Sequence, residues 1–186
     1  MDVGGEYQHY SADYCRTFPV SGKFTQRQRE IYEVVLGAQL AVEASFKPGV
    51  TTWKDLNETA KSYFKNSPVK DSKDGSLDTH FYHGIGHFVG LNVHDLGDYA
   101  SPIPRGAVFN IEPGLYLDDE GFGVRLEDSY FVTEKGLTRL TTNVPREAAA
   151  VERLVGAAKS SQTRSTHPAG LLAAFAPAAA APGRRH

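Results

Sequence analysis

The sequence predicts an α+β chain, an antiparallel sheet with covering helices. Three observations carry this: a tyrosine-rich N-terminal stretch with strand character, two runs of helical spacing between residues 25 and 66, and a second half of short apolar–polar alternations punctuated by Gly, Pro and acidic turns. With 186 residues, 40% hydrophobic and 23% charged, the chain can bury the core of one globular domain.

The first segment, Asp2 to Val20, carries Tyr7, Tyr10, Tyr14, Phe18 and Val20 and reads as two short strands in a hairpin, with Gly4 and Gly5 as an early turn. Strand side chains alternate faces, so Asp2 and Asp13, eleven residues apart, are expected to meet across the ladder. Thr25 offers an N-cap to a helix whose Ile31, Val35, Ala38, Val42 and Phe46 recur at helical spacing until Lys47, Pro48 and Gly49 stop it. Thr52 with Asp55 forms a capping-box pattern for a second helix ending near Asn66, with Trp53, Leu56, Ala60, Tyr63 and Phe64 on its apolar side. The polar stretch that follows, NSPVKDSKDGSLDT, reads as a surface loop.

From Phe81 to Val132 the segments HFYHGIGHFVGLNVHD, AVFNIEPGLYL and GVRLEDSYFVT are expected to form the antiparallel sheet. Beyond Pro145 a weak helix over REAAAVERLVGAAK gives way to residues rich in Ala, Pro and Ser. The expected division is a catalytic domain over 1–155 and a disordered tail over 156–186.

A formal net charge of -2 with no basic stripe argues against a nucleic-acid partner. No apolar run approaches a membrane span, and MDVGGEYQHY lacks the basic and apolar regions of a signal peptide. A single cysteine, Cys15, cannot form an internal disulfide, which favours a reducing, cytoplasmic setting.

The chemistry concentrates in a few residues. Of seven histidines, His80, His83, His87 and His94 fall within fifteen residues, interleaved with Gly84, Gly86 and Gly90, which permit close approach. On a strand His83 and His87 would share one face. Glu112 follows Val108, Phe109 and Ile111, and Glu127 follows Val124 and Leu126, contexts that draw each carboxylate inward. A buried carboxylate needs a compensating cation. One histidine among four carboxylates (Asp2, Asp13, Glu112, Glu127) suits a pair of hard, oxygen-preferring ions such as Mn(II) better than structural zinc.

In order along the chain, MDVGGEYQHYSADYCRTFPVSGKFT, HGIGHFVGLNVHDLGDY, FNIEPGLY and GVRLEDSYFVTEKG resemble the successive motifs of the pita-bread-fold metallopeptidases, on the Xaa-Pro aminopeptidase and prolidase branch. The resemblance covers roughly residues 1–155. It implies a dinuclear metal-dependent aminopeptidase that hydrolyses the bond between an N-terminal residue and proline, using two divalent ions, Mn(II) foremost, to activate a water. Asp13 and Glu127 would bridge the ions, Asp2 would complete one coordination sphere, and His87 and Glu112 the other. Glu112 would double as a proton shuttle, His83 and His94 would donate hydrogen bonds to substrate, and Arg125 would orient the carboxylates. The partner implied is a peptide with proline in second position.

Two motif positions depart from the family: Cys15 stands where threonine is usual and Asn92 where aspartate is usual. Met1 directly precedes Asp2, and the resemblance sets this start partway through the family's catalytic domain, so an uncovered sheet edge that aggregates or pairs with another chain, a homo-oligomer included, is expected. An Xaa-Pro dipeptidase, or a catalytically impaired fragment of such an enzyme, would carry the same motifs. A methionine aminopeptidase matches HGIGHFVGLNVHD less well, and a metal-free creatinase-like enzyme is disfavoured by five filled ligand positions.

Overall fold

The computed structural model describes residues 1–164. It opens with an antiparallel hairpin of β1 (Asp2–Tyr7) and β2 (Tyr10–Cys15). The turn is not at Gly4 and Gly5, which lie inside β1, but at Gln8 and His9, both with positive φ, 51° and 67°. Two successive positive φ values match the right-handed twist of flanking strands, which sequence composition alone did not signal here. Asp2 pairs with Cys15 and Asp13 with Gly4, so the two aspartates share a face but sit diagonally rather than directly opposite.

The two helices form as their caps predict. In α1 (Gln26–Ser45) the Thr25 side chain accepts from the Gln28 amide while Gln28 reaches back to the Thr25 amide; in α2 (Trp53–Lys65) Thr52 and Asp55 do the same. Ile31, Val35, Ala38 and Val42 of α1 and Leu56, Ala60 and Phe64 of α2 are fully buried. Tyr63 is the exception, 40% exposed, because it falls at the edge of the helix's apolar stripe.

The second half is not one sheet. It comprises β3 (Val108–Ile111), β4 (Gly114–Leu117), β5 (Phe122–Arg125), β6 (Asp128–Val132) and β7 (Leu137–Arg139), arranged as a three-stranded sheet in the order β3-β6-β7 and a separate β4-β5 hairpin. Phe109, Ile111, Leu115, Leu117 and Tyr130 pack with α1 and α2 into one core. The N-terminal hairpin joins it through reciprocal backbone hydrogen bonds between Cys15 and Glu127.

The expected strand over HFYHGIGHFVGLNVHD is corrected: the segment is irregular, with one isolated bridge between Phe88 and Phe109. It nevertheless runs antiparallel to β3, through Val89 N–H to Val108 O, Asn110 N–H to His87 O and Glu112 N–H to Ile85 O. Glycine is the reason it lies so close yet stays irregular. A Cβ at Gly86 would stand 2.0 Å from the Asn110 carbonyl oxygen. Beneath this segment Trp53 packs edge-on to Phe88 and Phe109, with ring centroids 5.1 and 5.5 Å away.

Helix α3 (Ala148–Arg164) carries the first part of the stretch expected to be a disordered tail, as its alanine-rich composition permits. The rest of that expected tail, 165–186, lies outside the described residues. No helix among the described residues is long and apolar enough to cross a membrane.

Candidate metal centre

Asp2, Asp13, His83, His87, His94, Glu112, Arg125 and Glu127, the eight residues singled out from sequence, line one cavity of about 490 Å³ together with Gly84 and Gly86. A larger concavity of about 880 Å³, flanking α1 and α2, is lined by residues such as Val34, Ala41, Tyr63 and Val69, and it gathers none of these groups.

Each element delivers its share for a local reason. Strand β2, anchored at Cys15, brings in Asp13. The glycine-rich segment held along β3 brings in His87, Glu112 follows the end of β3, and Glu127 immediately precedes β6. One ligand-capable atom from each of Asp13, His87 and Glu127 lies within 4.8 Å of the others, and all three residues are buried. His87 Nε2 stands 3.6 Å from Asp13 Oδ2, 3.7 Å from Glu112 Oε1 and 4.0 Å from Glu127 Oε1. Asp2 is set apart: its half-exposed carboxylate pairs with the Arg125 guanidinium at the cavity.

Hydrogen bonds orient the histidine rings. His87 Nδ1 faces the Phe88 carbonyl at 3.0 Å and therefore donates, which turns Nε2 toward the carboxylates. His83 Nδ1 donates to the Gly84 carbonyl at 2.8 Å, and its Nε2 lies 2.8 Å from the Tyr116 hydroxyl. Burial holds His83 below the usual imidazole range. The His94 ring lies against His87, centroids 4.0 Å apart.

The carboxylates are crowded. Burial foremost, with the neighbouring Glu112, Asp13 and Asp2 charges adding to it, pushes Glu127 up to about 8. Burial pushes Glu112 up to about 7, against the opposing pull of Arg125, and it also raises Asp13. Protein cations near enough to neutralise this group are few, since Arg125 is engaged with Asp2. An imidazole nitrogen and several carboxylate oxygens converging without a matching positive charge are a donor set that fits a hard divalent ion.

Three further residues shape the site and were not in the predicted set. Tyr116 is one, through His83. Arg16 is another: buried, it donates to the Glu127 carbonyl at 2.6 Å and the Cys15 carbonyl at 2.9 Å while pairing with Asp128 at 2.5 Å. Its Glu127 and Asp128 partners are distant in sequence, so no local pattern announces it. Asn110, fully buried, places Nδ2 at 2.6 Å from Glu127 Oε1 and 3.2 Å from both Asp13 Oδ2 and His87 Nε2. Strand alternation could have found it, because Asn110 lies two residues before Glu112 and so shares its face.

Residues 1–134 match the metallopeptidase family M24. An Xaa-Pro aminopeptidase of Haemophilus influenzae is 38% identical over 176 residues, an alignment covering 83% of this chain and 41% of that protein. An Xaa-Pro dipeptidase of Pyrococcus furiosus is 39% identical over 145 residues, covering 76% of this chain and 38% of its own. Among solved structures, the aminopeptidase PepP of Pseudomonas aeruginosa superposes with a TM-score of 0.75 at 34% identity, over 86% of this chain and 41% of that one. The chain thus spans about two fifths of the length of the relatives it matches.

Proposed function

Because the chain belongs to the metallopeptidase family M24, we propose that its cavity holds two divalent ions, Mn(II) by preference, and that the protein removes an N-terminal residue preceding proline. The observation that carries this reading is the buried convergence of Asp13, His87 and Glu127 donor atoms within 4.8 Å, with Glu112 beside His87. In this reading Asp13 and Glu127 would be ligands common to both ions, Asp2 would be a ligand of one, and His87 and Glu112 would be ligands of the other. The bound ions supply a lowered water pKa and polarise the scissile carbonyl.

The chain's own residues do the rest. Glu112, displaced upward by burial, can take and return a proton near neutral pH. His94 lines the cavity beside His87 and can donate to developing negative charge, and His83, steadied by Tyr116, can contact substrate. Arg125 fixes the Asp2 carboxylate. The substrate is a peptide with proline in second position, and the setting is cytoplasmic, as the lone buried Cys15 suggests.

The Pyrococcus furiosus relative, 39% identical, favours a second reading, an Xaa-Pro dipeptidase. Metal analysis of protein purified with Mn(II), followed by hydrolysis of an Xaa-Pro dipeptide and of peptides extended beyond proline, tests both. Two ions and cleavage of the longer peptides support the aminopeptidase, and cleavage confined to the dipeptide supports the dipeptidase. A folded protein that binds no divalent ion overturns both.

A further inference from the structure

We infer that Asn110 is an additional ligand of the metal centre, presented by turning its side-chain amide over when a cation enters. This rests on the metal reading above. Asn110 lies at the centre of the buried cluster, its Nδ2 within 3.2 Å of Asp13 Oδ2, His87 Nε2 and Glu127 Oε1. In the state that receives a cation, with the His87 Nε2 unprotonated and both carboxylates ionised, all three of those atoms present lone pairs, and the Phe88 carbonyl takes the remaining His87 hydrogen at Nδ1. An amide has two hydrogens on that nitrogen, so without a cation it is the right group to face three lone pairs. With a cation held by the same three atoms, an N–H donor has the wrong polarity and an acceptor oxygen has the right one.

The other end of the amide shows that turning over is favourable. Ser129 Oγ lies 2.6 Å from the Asp13 carbonyl oxygen and 2.9 Å from Asn110 Oδ1. Both neighbours are acceptors and the hydroxyl has one hydrogen, so only one of those contacts can be a full hydrogen bond. After half a turn about the Asn110 Cβ–Cγ bond, Nδ2 donates to Ser129 Oγ and Ser129 donates to Asp13, which satisfies both contacts. The nitrogen and oxygen ends are nearly the same size, so a fully buried side chain can exchange them without moving its neighbours. Ser129 therefore favours the turned amide, the three bare ligand atoms favour the unturned one, and the cation decides. A neutral oxygen added to a set of carboxylates also biases the site toward Mn(II) or Mg(II) over Zn(II).

The test uses the full chain in crystals grown without metal and with Mn(II), together with calorimetric Mn(II) titrations of the wild type and of Asn110→Leu. The expected structure has the Asn110 oxygen within about 2.5 Å of the ion when Mn(II) is bound, a typical reach for oxygen on a divalent cation. Affinity is expected to fall about 10- to 100-fold in Asn110→Leu, a loss of the size seen when groups supporting a metal are removed. Mn(II) bound at Asp13, His87 and Glu127 with the amide still more than about 3 Å away overturns the inference and leaves the metal reading standing, as does an undiminished affinity in a folded Asn110→Leu. Crystals with no ion at those three residues overturn both.

Discussion

The β1–β2 hairpin and the β3–β6 wall deliver carboxylates to the same cavity but hold them by different means. Glu127 is 2% exposed and its backbone is gripped by Arg16 and Cys15, whereas Asp2 lies on an outer strand, half-exposed, and is held by one ion pair with Arg125. The first arrangement is costly to assemble and hard to deform; the second is cheap and compliant. A two-ion centre built across both would therefore have one position fixed by the fold and one that depends on a surface-side contact.

The largest expected effect breaks the rigid side. Arg16→Ala leaves Asp128, whose side chain is fully buried, without its nearest cation, although Arg139 and Arg146 remain at 3.5 and 3.7 Å and the Thr141 hydroxyl still donates. Unpairing a buried ion pair costs about 3–5 kcal/mol. Urea denaturation reads this directly, and a loss below about 1 kcal/mol would show that the other two arginines compensate.

Next in size is the pH response of the metal-free protein. Glu127 and Glu112 keep protons up to about 8 and about 7 in the fold, while an unfolded glutamate releases its proton near about 4.3. Between those values the folded state binds more protons than the unfolded one, so stability falls as pH rises from about 5 to about 8, by a few kcal/mol. Melting temperatures in the presence of a chelator measure it. A melting temperature that climbs across that window contradicts it, and added Mn(II) should remove most of the decline.

A smaller effect is expected where the histidine segment meets β3. Gly86→Ala puts a methyl group 2.0 Å from the Asn110 carbonyl oxygen and must push His87 away from Asp13 and Glu127. Overpacking of this kind costs about 1–3 kcal/mol, and Mn(II) affinity should drop with it; unchanged affinity would mean that the segment yields without carrying His87 along. The smallest is on the compliant side. Asp2→Asn should change folding stability by less than about 1 kcal/mol, because the ion pair it breaks is partly solvated. The same variant should bind one fewer Mn(II) ion, and full occupancy would remove Asp2 from the ligand set.

Much of this was legible in the sequence wherever structure follows from neighbours along the chain. Thr25 as an N-cap and Thr52 with Asp55 as a capping box announced both helices, since a cap is decided within four residues. The apolar residues before Glu127 and Glu112 pointed both carboxylates inward, and the first is buried while the second keeps 15% of its side chain exposed at the cavity. The hairpin was foreseen but not its turn, because Gln8 and His9 adopt positive φ without the glycine that usually marks such a turn. The histidine segment misled through its alternation: its glycines allow it to hug β3 without becoming a strand, although His83 and His87 still line the same cavity. Arg16 was missed because its contacts to Glu127, Asp128 and Pro145 lie 111 to 129 positions away, which spacing does not encode, whereas Asn110 was within reach of strand alternation, which sets it on the face of Glu112.

The packing of Trp53 has a further consequence. It is the chain's one tryptophan, and it sits edge-on to Phe88 and Phe109, the immediate neighbours of His87 and Asn110. Its buried indole nitrogen has no hydrogen-bond partner among the described residues, and Tyr99 lies against the same ring at 5.1 Å. The protein therefore contains its own optical gauge: a shift of the backbone that carries His87 and Asn110 is reported in the emission of a single fluorophore, with no label to introduce and no second indole to blur the signal.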